Sequence, residues 1–150
     1  MRFYPPLFFQ RIWVKKFEKG FTGVEVKIAK SLLNKNFNHS IFGGTIFSAS
    51  DPFFSLLFDQ LLQRRGFKTR VWLKSAEIKY LKPGRSDLYF KINITEEDIL
   101  EAETALKTVG KFVKAFPMEI INVNGEICAS VINEVYIRNL FKGEEDTVAY

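Results

Sequence analysis

Within one stretch, Asn38 to Pro52, the chain sets its only His, a Gly pair and a carboxylate enclosed by apolar residues. A carboxylate among Phe47, Phe53 and Phe54 is desolvated. That raises its pKa and makes Asp51 a better general base near neutral pH; it could equally be a nucleophile. A Gly pair at a helix entrance leaves backbone N–H groups open to an electron-rich oxygen, and glycine lets that oxygen come close. Asn38 or His39, just upstream, could orient a water. Each residue also has a plainer reading. Ser50-Asp51-Pro52 makes a good N-cap with proline at N1, Gly43-Gly44 can serve a tight turn, and a solitary His is commonly a surface loop residue.

These groups need elements to hold them. Phe53 to Leu62 is apolar on nearly every side, and such a helix has to be covered all round. It begins near Gly43-Gly44 and stops at Arg64-Arg65-Gly66, where the cations suit a last turn and Gly66 a stop. Pro52 either kinks it or starts a second segment. The covering elements read as strands. Val24, Val26 and Ile28 alternate with Glu25 and Lys27, and Leu88, Phe90, Ile92 and Ile94 alternate cleanly. Residues 70–81 are partly apolar on both parities. Phe112, Phe116, Met118 and Ile120 form a further strand in which Pro117 marks an edge or a bulge. Asn124-Gly125 signals a hairpin into the last strand, with Ile127, Ala129, Val131, Val135 and Ile137. Thr95 followed by Glu96, Glu97 and Asp98 opens a helix to about Lys107. Pro5-Pro6 opens another, expected to run through about Phe17. The organisation expected is an N-terminal helical segment over 1–19, one domain over 20–141, and a frayed tail over 142–150.

At 150 residues the chain is long enough to bury a real core. The 16 phenylalanines are unusual and hint at an apolar ligand as well as a core. A net charge of +5, spread without a basic stripe, suits phosphorylated ligands or an acidic partner and argues against nucleic acid. The single cysteine, Cys128, excludes an intramolecular disulfide and fits a reducing compartment. One His and one Cys leave no His/Cys metal constellation, and no Ser sits in a G-x-S-x-G elbow. Residues 41–62 approach membrane-spanning length, but they contain Asp51, Pro52 and Asp59, and one mid-bilayer carboxylate costs about 2.5–3.5 kcal/mol. The expected location is cytoplasmic, with no membrane association.

The order is a strand, a buried helix, then longer strands. Gly-Gly stands at the helix entrance and a carboxylate seven residues after the second Gly. This resembles the hotdog-fold thioesterase superfamily, and Asn38 to Phe54 is similar to its phenylacetyl-CoA-type motif. A closer likeness, to an uncharacterised bacterial branch, is carried by Ile46-Phe47-Ser48 leading to Asp51-Pro52-Phe53, by Val71-Trp72, and by Ile78-Lys79-Tyr80-Leu81-Lys82-Pro83-Gly84-Arg85. The resemblance covers roughly 20–138. Two positions depart from it: Phe42 stands where His usually precedes the Gly pair, and Leu73 where the branch often has Asp.

The resemblance implies an α+β fold, an antiparallel β-sheet wrapped around a long central α-helix. It implies hydrolysis of an acyl-CoA or related acyl thioester without metal or other cofactor. The assembly implied is a homodimer or dimer of dimers in which one copy's carboxylate faces the other copy's Gly pair. Asp51 is then base or nucleophile, Gly44 N–H polarises the thioester carbonyl, and Asn38 or His39 orients water. Phe42, Gly43, Phe47 and Phe54 meet the substrate, and Lys82, Pro83, Gly84 and Arg85 lie near the coenzyme phosphates. The alternatives are an acyl-binding module of the same fold that does not cleave, and a purely structural partner protein.

Overall fold

The computed structural model describes residues 4–140. The frayed tail expected over 142–150 lies outside them. Elements follow in the order α1 (Pro5–Phe9), β1 (Ile12–Phe17), β2 (Gly23–Ile28), α2 (Gly43–Ser50), α3 (Pro52–Arg64), β3 (Thr69–Tyr80), β4 (Leu88–Asn93), α4 (Glu96–Thr108), β5 (Lys111–Asn122) and β6 (Ile127–Asn139). The strands form one six-stranded sheet in the order β1-β2-β4-β5-β6-β3, antiparallel throughout. Its inner face closes on α2 and α3. Period-two alternation sets that face, with Val24, Val26 and Ile28 of β2 and Leu88, Phe90 and Ile92 of β4 all buried.

The α3 helix buries one broad face against the sheet, while Asp59 and Gln60 stay half-buried and Gln63 and Arg64 are exposed, so it is not covered all round as its composition suggested. Phe53, Phe54, Leu57, Phe58, Leu61 and Leu62 are buried, and each such side chain contributes about 1.5–3 kcal/mol of burial. Six of the sixteen phenylalanines meet here. Phe54 stacks on Phe116 at 5.0 Å, Phe58 meets Phe116 at 5.4 Å and Phe112 at 6.1 Å, and Phe53 meets Phe90 at 5.8 Å. Gly66 adopts φ +84° immediately after the helix, the left-handed stop that its type allows. Thr95 and Asp98 exchange a capping box at the start of α4, whose Ile99, Ala102 and Leu106 are buried.

Two local expectations change. The N-terminal helix ends at Phe9, and Arg11 at φ +61° turns the chain into a strand that pairs with β2. A bulge between Val14 and Lys16 breaks the alternation there, which is why Lys15-Lys16 disguised the strand. Pro117 sits within an inner strand by order, yet the β4–β5 ladder registers only Leu88 with Asn122 and Tyr89 with Ile121. Over Pro117, β6 is therefore the registered strand partner, so the missing N–H has an open side to face. Among the described residues no helix is long and apolar enough to cross a membrane.

Candidate active site

The loop from Ala29 to Phe42 is fastened by asparagines. Asn34 is buried; its Oδ1 accepts from Ser31 N–H at 2.9 Å, and its Nδ2 donates to the Gln10 and Ala29 carbonyls, each at 2.9 Å. Its own carbonyl accepts from Phe42 N–H at 2.7 Å. Asn36 Oδ1 accepts from Asn38 N–H, Ser40 N–H and Ser40 Oγ. These bonds place Asn38 and His39 at an exposed corner, with His39 at φ +59°.

The helix entrance and the Lys82–Arg85 turn come together. Ile41 N–H donates to the Gly84 carbonyl at 2.9 Å, and Tyr80 Oη donates to the Gly43 carbonyl at 2.9 Å. Lys30 binds the same turn twice, from Nζ to the Arg85 carbonyl and from N–H to Asp87 Oδ1. Burial would raise the Asp87 pKa, but Lys27 and the Lys30 N–H outweigh it and hold the carboxyl below its ordinary value. Lys82 pairs with Glu126, whereas Arg85 is exposed and makes no side-chain hydrogen bond or ion pair among the described residues.

At the start of α2, the N–H groups of Gly43 and Gly44 donate to no acceptor among the described residues. Thr45 and Ile46 take the Phe42 carbonyl instead. Both glycines lie under aromatic rings. A Cβ on Gly43 would meet Tyr80 ring atoms at 3.2 Å, and one on Gly44 would sit 2.5 Å from the Phe42 ring. Phe42 itself is 57% exposed, so its ring has room to move.

Asp51 joins α2 to α3 in helical conformation, φ −69° and ψ −57°. A capping residue needs extended backbone and a side chain that accepts an N–H; Asp51 has neither. Its carboxylate makes no hydrogen bond or ion pair among the described residues, and burial alone pushes its pKa up. Asp51 remains exposed in the single copy, so that desolvation is partial, and the carboxylate is left unemployed and accessible. It is not beside Gly44. Seven helical residues at ~1.5 Å each put the two backbone positions about 10 Å apart along one axis, so the carboxylate does not touch the Gly44 N–H.

Of the other expected substrate contacts, Phe47 is part-exposed on α2, while Phe54 is buried in the core against Phe116. Sequence reasoning missed Tyr80 as the partner of Gly43, Asp87 as the anchor of the turn, and Asn133. Asn133 is wholly buried on β6, with Nδ2 donating to the Ser50 carbonyl at 2.8 Å. The signal for it was a polar residue at an inward position between Val131 and Val135.

Solved structures of the same architecture carry thioesterase names. A Pseudomonas aeruginosa protein described as a probable thioesterase superposes with TM-score 0.71 at 18% identity, over 87% of this chain and 84% of that one. A Haemophilus influenzae thioesterase gives 0.69 at 13%, over 96% and 90%. The Escherichia coli PaaI protein of the phenylacetic acid degradation operon gives 0.63 at 16%, over 89% and 83%. No curated protein matches the sequence significantly. With the sheet, its buried helix and these neighbours in agreement, the fold is the hotdog fold. Residues 1–137 match the family described as a domain of unknown function, DUF4442, and the chain belongs to that family.

Proposed function

We infer that the protein hydrolyses an acyl thioester, with acyl-CoA the substrate class that fits best, at a site completed by a second copy. The observation that carries this is Asp51: accessible, partly desolvated, without a partner, and two helical turns away from the free Gly44 N–H of its own helix. In the proposed reaction Asp51 takes a proton from water, or attacks as nucleophile. The thioester oxygen accepts from Gly44 N–H of the opposite copy, where a single oxyanion donor is worth ~10²–10³ in rate. Asn38 or His39 orients the water, Phe47 and Phe42 meet the acyl group, and Arg85 with Lys82 faces the coenzyme phosphates.

Pairing of copies is supported by β3. This twelve-residue strand ends the sheet and presents Trp72 and Tyr80, 37% and 52% exposed, along an edge that invites a second strand. The loop before α2 adds exposed Leu32, Leu33 and Phe37, an apolar surface suited to an acyl chain or a partner copy. A homodimer, or a dimer of dimers, is the expected state. A stable monomer at micromolar concentration by light scattering would count against it.

The test is a panel of short, medium, long and aromatic acyl-CoAs, with released thiol measured. Turnover of at least one class above background is expected. A second reading has its own observation: the Phe42 ring lies over Gly44, where the family's usual His is absent, so a carbonyl reaches the N–H only if the ring moves. The same apolar site would then hold an acyl chain without cleaving it. Ligand binding with no thiol released would select that reading.

A pH profile follows from the electrostatics. Asp51 must be ionised to act, and burial raises its pKa, so kcat should fall on acidification with a midpoint above the ordinary carboxylate range. A midpoint at or below the range of an exposed Asp would contradict the assignment. The stability term has the opposite sense. A raised folded-state pKa contributes stability that is present below the unfolded pKa and lost as pH rises through the folded one.

A further inference from the structure

Asn133 lies on the inner face of β6, opposite Ala76 of β3 and Phe116 of β5, in a row with Val131, Val135 and Ile137 that is entirely buried. Packing alone would put an apolar side chain there. Instead Nδ2 donates to the Ser50 carbonyl at 2.8 Å, and Oδ1 has no hydrogen-bond partner. The amide orientation is fixed by chemistry, since only the NH₂ group can face a carbonyl. A buried acceptor left unsatisfied opposes folding, so the residue is a poor choice for stability.

The carbonyl it holds belongs to the residue before Asp51, and the helix is weakened at this point. Pro52 has no N–H, so the Ser48 carbonyl loses its usual acceptor role four residues back. Two hydroxyls bond back within the helix, Ser48 Oγ to the Gly44 carbonyl at 2.8 Å and Ser50 Oγ to the Phe47 carbonyl at 2.7 Å, and neither reaches the Ser48 carbonyl. Both move with the helix. The Asn133 bond joins residues 83 apart in sequence and ties the junction to the sheet.

We propose that Asn133 is a positioning residue for the thioester site, fixing the α2–α3 junction against β6 so that Asp51 projects at one angle and depth. This rests on the assignment of Asp51 as the reacting carboxylate. Asn133 touches neither substrate nor reacting atoms; it acts through the Ser50 peptide. Displacement of a reacting group by about 1 Å can cost up to ~10² in rate without any loss of binding.

The test is Asn133→Leu, which keeps the branched shape and removes both the tether and the unsatisfied oxygen. The expected result is a ten- to hundredfold fall in kcat with KM within about twofold and melting temperature not lowered. Amide exchange over 51–55 should accelerate while exchange in β6 stays slow. A merely structural Asn133 would change stability and leave turnover per folded molecule intact. Unchanged kcat, or unchanged exchange over 51–55, overturns the proposal. If the larger Leu prevents folding, Asn133→Ala is judged by the same two readouts. Asp51→Asn separates the layers: a fully active Asp51→Asn sinks the catalytic reading itself. An inactive Asp51→Asn beside a fully active Asn133→Leu sinks only the tether.

Discussion

Asp51→Asn should lower kcat by ~10²–10⁴-fold, the usual share of general-base catalysis, while leaving the melting temperature unchanged or slightly raised. The stability half of this expectation comes from geometry. Asp51 caps nothing, because its backbone is helical and its side chain accepts no N–H, so no capping bond is lost. Asp51 is exposed in the single copy, so the cost of its charge is small, and an amide of the same size leaves stability nearly unchanged. Asp51→Ala should likewise keep the fold, whereas removal of a true cap costs ~0.5–2 kcal/mol. Steady-state kinetics and thermal melts on the same preparations check both halves. Retention of full activity by Asp51→Asn would end the assignment; loss of activity in step with loss of fold would return Asp51 to a structural role.

The sequence disclosed what periodicity controls and hid what single contacts control. The helix over 43–65 was legible because a run this rich in apolar residues has to bury a broad face. The strands of 88–94 and 112–137 were legible because alternation survives in them, and 70–81 because of its apolar run on both parities. Ile12–Phe17 was not, since the bulge at Val14–Lys16 shifts parity mid-strand and Pro5-Pro6 signals where a helix begins but not where it ends. The phenylalanines looked like a ligand pocket, yet Phe53, Phe54, Phe58, Phe90, Phe112 and Phe116 pack on one another in the core. At the site, Gly-Gly and Asp could be found by spacing. Their rings and tethers could not, because the Tyr80–Gly43 and Asn133–Ser50 bonds span 37 and 83 residues and leave no local pattern. Capping and catalysis also predict the same Ser-Asp-Pro string. Only the backbone angles at Asp51 separate them.

Activity should return when two inactive chains are mixed, and this is the sharpest test of a shared site. Gly44→Pro deletes the proposed oxyanion donor at a first-turn position that tolerates proline, and the N–H it removes has no acceptor among the described residues. Its side chain must displace the Phe42 ring, which is exposed and able to swing aside. Alone, it should lose ~10²–10³ in kcat while folding normally. In a mixed pair with Asp51→Asn, one of the two symmetric sites combines the intact Asp51 of one chain with the intact Gly44 of the other. The second site carries both lesions. Random re-association should therefore recover about a quarter of wild-type activity, since half the dimers are mixed and each holds one working site. If both groups acted within one chain, every chain in the mixture would carry one lesion and nothing would return. Equal mixing of separately tagged chains, with purification of the doubly tagged pair, isolates the species in question and should raise recovery to about one half. Absence of recovery in that purified pair would exclude the two-copy site, and with it the reason that Asp51 and Gly44 lie about 10 Å apart along one helix.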